Sequence, residues 1–482
     1  MFFNSIDFAI FFPIVFFLYW FATQKNLKLQ NLLVVVASYI FYGWWDYRFL
    51  TLIAFSTFTD YLAGIYLVKM HDITKRKLIL CISITINILF LGFFKYCNFF
   101  VDNFAAVFTF WGMKIEPYNL NIILPVGISF YTFQTMSYTI DVYKRKLEPT
   151  KDFISFAAFV SFFPLLVAGP IERATNLLPQ FYKKRDFQYA NAVDGCKQML
   201  WGFFKKIVVA DNCAAYVNIV LNNYNDHYGS TLVLTAIFFT FQIYADFSGY
   251  SDIAIGSAKL FGFRPTRNFA YPFFSRDIAE FWRRWHISLT TWFRDYLYFP
   301  LGGSRNGMLL TVRNTFIIFI ISGFWHGANW TFIMWGFINA VYFMPLLITK
   351  KNRINVDIVS KDRILPSAKE TFSIVTTFFL TVFAFVFFRA ETVSDAFNYL
   401  FTIMSPSIFT TPEFGIAGLT TIGSILLSVP VLVIIEWINK KEQYGFKKQP
   451  QNKILRWAFY ILVILTIINF AGDQQGFIYF QF

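Results

Sequence analysis

Apolar stretches succeed one another along almost the whole chain, divided by short loops that carry much of its lysine and arginine. Nothing else in the sequence constrains the fold as tightly. Lipid offers no water to satisfy backbone N–H and C=O groups, so only helices and closed barrels cross it. A helix needs about 20 mostly apolar residues to span. Candidates fall at residues 8–22, 32–45, 49–68, 78–94, 122–140, 153–168, 232–244, 312–325, 330–348, 372–388, 416–438 and 457–470. Several are short or interrupted by Pro or Gly, which points to tilted, re-entrant or partly buried helices. The expectation is an all-α, polytopic membrane protein with roughly 11–13 embedded segments.

Composition agrees. Only 15% of the 482 residues are charged, against about 25% in a soluble domain. The net charge of +14 would suggest nucleic acid in a soluble protein. Here the basic residues mark loops, which argues for attraction to lipid and against nucleic acid. Lys25 and Lys28 follow the first run, Lys69, Lys75, Arg76 and Lys77 the third, and Lys144, Arg145, Lys146 and Lys151 the fifth. Alternate basic loops belong in the cytoplasm, which puts the N-terminus outside the membrane. Lys350-Lys351-Asn-Arg353 and Lys440-Lys441 fit the same side. The run at 8–22 has no basic stretch before it and no cleavage site after it, so it reads as a retained helix. Four cysteines without CxxC spacing suggest neither a disulfide framework nor a metal site.

One stretch breaks the apolar pattern. From Gln242 to Arg313 the chain places Asp246, Asp252, Arg264, Arg267, Arg276, Asp277, Glu280, Arg283, Arg284, His286, Arg294, Asp295, Arg305 and Arg313 among aromatic residues. Charges at membrane depth must be paired or line a wet cavity. On a helix, Trp282, Trp285, His286, Leu289 and Thr290 share one face, and Gly302-Gly303 would end it. His326 lies inside a second aromatic run, Phe324-Trp-His-Gly-Ala-Asn-Trp330, whose small residues allow close approach. Read alone, a membrane histidine is more often an interhelical hydrogen-bonder than a catalytic base. Two of the chain's four histidines in such settings, beside one dense polar region, bring a proton-transfer site level with that reading. Gly169-Pro-Ile-Glu172-Arg173 adds a turn with a carboxylate that could join the central network or form a local ion pair. No GxSxG, HExxH or P-loop pattern occurs.

The long strings Trp282-Arg-Arg-Trp-His-Ile-Ser-Leu-Thr-Thr-Trp-Phe-Arg-Asp-Tyr-Leu-Tyr-Phe-Pro-Leu-Gly-Gly303 and Phe324-Trp-His-Gly-Ala-Asn-Trp330 resemble the membrane-bound O-acyltransferase family, in its bacterial alginate O-acetyltransferase-like branch. Gly169–Arg173, Tyr244-Ala-Asp-Phe-Ser-Gly-Tyr-Ser-Asp-Ile253 and Phe388-Arg-Ala390 support it. The resemblance implies a ring of tilted helices around a central cavity or tunnel, in a bacterial inner (plasma) membrane. It implies a single membrane domain over 1–482, with a catalytic core at roughly 120–345 and C-terminal helices at roughly 370–475. His326 matches the main catalytic histidine, and His286 a second position that is His or Asn across the family. The donor would be a cytoplasmic thioester, acetyl-CoA or an acyl carrier, with no permanently bound cofactor and no metal. An esterase-like extracytoplasmic partner would often receive the acyl group.

These expectations assign His326 as general base and His286 as a donor-positioning or charge-stabilising group. Trp282, Trp285, Trp325 and Asn329 would shape the cavity. Arg283, Arg284 and Arg294 would meet donor phosphates, with Asp295, Glu172 and Asp246 in the paired network. The leading function is O-acetylation of an exopolysaccharide or cell wall. A D-alanyl transferase to teichoic acids, using a carrier-protein thioester, is the rival enzyme, and a transporter or flippase the rival class.

Overall fold

The computed structural model describes residues 1–113 and 115–480. Every regular element among them is helical. Seven helices are long and apolar enough to cross a membrane: Leu27–Lys69, Ile73–Phe110, Gly229–Leu260, Met308–His326, Trp330–Ile348, Ala368–Arg389 and Leu419–Ile438. Shorter helices account for other expected segments, among them the apolar run Ile6–Ala22. Leu27–Lys69 is itself divided by a 3-10 turn at Tyr47–Phe49 into two 20-residue helices.

The helix starts are written locally. Asp72, Asp277, Asn329 and Ser367 each accept a backbone N–H with a side-chain oxygen at the first turn of the helix that follows. Such caps satisfy donors that the helix itself cannot. Ser367 and Glu370 form a reciprocal capping box.

By its contacts the chain divides into two compact units. The first comprises Met1–Val193 with Ser257–Thr266. Its interior is rich in packed phenylalanine, as where Phe162, Phe181 and Phe263 meet edge-on or tilted with ring centroids 4.5–5.7 Å apart. Its buried polar groups answer one another. The Arg185 guanidinium donates to Gln30 and Asn31, and lies 4.9 Å from the Phe263 ring centroid. Asp60 accepts from Ser83, Thr139 and Asn87.

The second unit comprises Asp194–Gly256 and Arg267–Phe482. Its clearest local motif is the hairpin of Met308–His326 and Trp330–Ile348. Gly323 and Gly336 let the two backbones meet: a Cβ on either would stand 2.1–2.3 Å from a carbonyl oxygen of the facing helix. Small residues at a membrane helix crossing permit this approach. At the turn, a Cβ on Gly327 would lie 2.1 Å from the Phe332 ring, so the room beside His326 is taken by an aromatic wall.

Candidate functional site

All of the following side chains except Glu172 and its partners Asn176 and Thr266 belong to the second unit. His326 is the last residue of its helix, and Gly327 then turns the chain into extended backbone at φ −161°. The helix therefore delivers the imidazole at its C-terminal end. The ring sits among Trp325, Trp335, Phe388 and Tyr479, with centroids 5.0, 5.1, 5.3 and 5.6 Å away.

His286 arrives differently, and here the structure corrects the sequence. The expected single helix across Trp282–Thr290 is two helices, Ile278–Arg284 and Ile287–Phe293. His286 stands between them in the left-handed region at φ 42°, ψ 55°. The cause is a long-range pairing. Ala270 N–H donates to Arg284 O and Ile287 N–H to Asn268 O, both at 2.9 Å. The Asn268 side-chain oxygen also accepts from the Ser288 hydroxyl at 2.9 Å. These bonds replace the helical ladder at the break, and periodicity cannot report them. Beyond it, the chain ends the second helix in a π-type turn, Arg294–Tyr298, and Gly302 and Gly303 past its end take positive φ.

The break places the His286 ring 6.4 Å from that of His326, centroid to centroid. Phe247 lies 4.7 Å from His286, and Trp325 6.0 Å. Both histidines are buried, 1% and 3% exposed. His286 lies outside the seven spans, and burial pushes its imidazole below its ordinary value, toward the neutral form. An atom about 3 Å from a nitrogen of each ring would fit the spacing that proton transfer and charge stabilisation require. The aromatic walls would keep water from whatever group reacts there.

Trp282 packs on Phe319 and Trp335, and Trp285 on Phe281 and Phe385. The buried Trp282 indole N–H has no hydrogen-bond partner among the described residues. Asn329 is engaged: its oxygen caps Thr331 N–H at 3.0 Å and its amide donates to Glu391 O at 2.9 Å. Arg284 shares Glu280 with Arg276. Arg283 donates to Asn352 O and Asn355 O at 2.8 and 2.7 Å, fastening the basic loop. Arg294 pairs with its neighbour Asp295 at 2.7 Å on the surface. Asp246 pairs with Lys206 at 2.8 Å. Glu172, in the first unit, accepts from Thr266 and Asn176.

Sequence reasoning missed Phe247, Trp335 and Tyr479. Tyr479 has its ring 6.5 Å from His286 as well as 5.6 Å from His326. The only signal was a Gly476-Phe-Ile-Tyr479 run after a polar turn, hidden in a chain with 66 phenylalanines and 26 tyrosines.

The family model described as MBOAT, membrane-bound O-acyltransferase family, matches residues 144–388, which include both histidines. A Pseudomonas aeruginosa protein described as "probable alginate O-acetylase AlgI" is 40% identical over 435 residues, covering 89% of this chain and 80% of that protein. A Helicobacter pylori protein described as peptidoglycan O-acetyltransferase is 36% identical over 368 residues, covering 70% of this chain and 69% of that protein. A Bacillus subtilis teichoic acid D-alanyltransferase is 28% identical over 284 residues, covering 56% and 70%. With the helical membrane architecture and the two histidine motifs, these matches place this multi-pass chain in the membrane-bound O-acyltransferase family.

Proposed function

We propose that this protein moves an acetyl group from a cytoplasmic thioester, acetyl-CoA or an acyl carrier, to a hydroxyl beyond the membrane. The product would be an O-acetylated exopolysaccharide of the alginate type or an O-acetylated cell wall. One observation carries it: two buried imidazoles with ring centroids 6.4 Å apart in an aromatic pocket. Identity with acetylases of polysaccharide and peptidoglycan exceeds that with the D-alanyl transferase, 36–40% against 28%. The basic loops support an N-terminus outside and donor entry from the cytoplasm.

In this mechanism His326 takes the proton of the acceptor hydroxyl as its oxygen attacks the thioester carbonyl. The carbonyl oxygen gains negative charge, which His286 and the Trp282 N–H are proposed to stabilise. Collapse of the intermediate breaks the C–S bond, and the departing sulfur takes the proton from His326. Arg284 and Arg294 are compensated by carboxylates. Arg283 instead hydrogen-bonds two carbonyls, so of the three its charge best suits a donor phosphate. An esterase-like extracytoplasmic protein would receive the acetyl group and pass it to the polymer.

The test is ester-linked acyl content of surface polymers in cells lacking this gene, complemented with wild type or with His326→Ala at equal membrane levels. Restoration by wild type alone supports His326 as the base. Acetate among the acids released by mild alkali supports acetyl transfer, and D-alanine would assign the rival enzyme. Full rescue by His326→Ala overturns the catalytic assignment.

A further inference from the structure

Tyr479 reaches the histidines because residues 470–480 are fastened along the second unit, and the fastening is an unusual one. Lys206 is buried, its side chain 1% exposed. An ammonium group has three protons to place. Here the ammonium lies 2.7 Å from Asp211 Oδ1 and 2.8 Å from Asp246 Oδ1, and donates to the Gln475 carbonyl at 3.0 Å. Asp246 Oδ2 in turn accepts the Ile478 N–H at 2.7 Å. The cluster thus holds one lysine and two carboxylates, and the segment supplies one acceptor and one donor that complete it. Without the segment, a buried ammonium and a buried carboxylate would each lose a partner, which is costly in a dry interior.

Further contacts fix the register. Asn212 donates to Phe470 O at 2.9 Å and Gly472 N–H to Ile207 O at 3.3 Å. A Cβ on Gly472 would stand 2.9 Å from Asn212 N, so this seat requires glycine. Lys206 and Ile207 lie in the π-type helix Phe204–Ala210, a geometry found often at functional sites. Asp246 is followed by Phe247, whose ring meets Tyr479 at 4.3 Å and His286 at 4.7 Å. Phe477 packs on Tyr250 at 4.5 Å.

We propose that Lys206, Asp211 and Asp246 are positioning residues for acyl transfer. They act through residues 470–480, holding the Tyr479 ring as a fixed wall of the histidine pocket. The segment is a structural part of the site, since its departure would open a buried charged cluster. This rests on the acyl-transfer function proposed above.

The test combines hydrogen–deuterium exchange of the purified protein with transfer from radiolabelled acetyl-CoA in inside-out membrane vesicles. In Asp246→Ala, exchange at residues 472–480 should quicken about tenfold or more, with peptides from Met308–Ile348 unchanged. The turnover number should fall about tenfold or more while the KM for acetyl-CoA stays within about twofold, because pocket geometry and not donor capture is lost. Gly472→Ala disturbs the same seat from the segment side, and should show the same pattern with about a threefold fall. It decides the matter if Asp246→Ala does not accumulate. Faster exchange at 472–480 with wild-type turnover overturns the proposal, as does lost turnover with 472–480 still protected. If wild type transfers no acetyl group in these vesicles while the exchange pattern holds, the failure belongs to the acyl-transfer function and not to the clamp.

Discussion

Asp60 in the first unit and the histidine pair in the second are equally buried, yet their surroundings differ in kind. Asp60 is ringed by donors: Ser83 at 2.5 Å, Asn87 at 3.0 Å and Thr139 at 3.1 Å, with Ser56 donating onward to Asn87. A network of short polar side chains, each answering another, fixes how helices pack. The histidines are ringed by Phe247, Trp325, Trp335, Phe388 and Tyr479. Rings of this size hold an imidazole by shape and keep water away. Burial alone therefore does not mark a functional polar group. The chemistry of the wall around it does.

Four changes would break or sharpen that contrast. The largest effect is expected from His326→Ala, which should lower acyl transfer by the folded protein about 100-fold or more. Transfer rate and melting of purified protein check it. Asp60→Ala should do the reverse. Leaving its donors buried without an acceptor should cost about 3 kcal/mol, seen as a lower melting temperature, while folded protein keeps its specific activity. Equal loss of activity in both variants would erase the distinction.

Gly336→Ala joins the two effects. Its Cβ would press on Phe319 O from 2.3 Å, at a cost of about 1–3 kcal/mol from overpacking. Activity should fall along with melting temperature, because the same hairpin carries His326. The smallest stability effect belongs to Arg283→Ala, which should cost about 1 kcal/mol through two lost hydrogen bonds to the 352–355 loop. Its KM for acetyl-CoA decides the residue's role. An unchanged value makes Arg283 a loop fastener, and a rise of about tenfold makes it a phosphate ligand.

The sequence made the apolar helices legible because hydropathy is a local signal. It also singled out both histidines, since aromatic strings around the rare residue stand out without any coordinates. The rest depended on contacts distant in the chain. The break at His286 is made by Asn268 and Ala270, which no helical wheel of 282–290 contains. Arg283 looked like a free cation because a carbonyl partner 69 residues away leaves no mark on composition. Asp246 looked like a member of the central charge network, but its cation is Lys206, outside the polar stretch. Tyr479 was obscured by the abundance of its own residue type.

The left-handed backbone at His286 also limits what can ever replace it. Asn, Asp and His enter that torsional region far more readily than other side-chain-bearing residues, and β-branched ones scarcely at all. The His or Asn that the family resemblance implies at this position would both belong to that short group. Substitutes there are screened by torsion before they are screened by chemistry. An Asn that keeps the fold can thus arise in one step, and the protein can lose or regain an imidazole without rebuilding the loop that holds it.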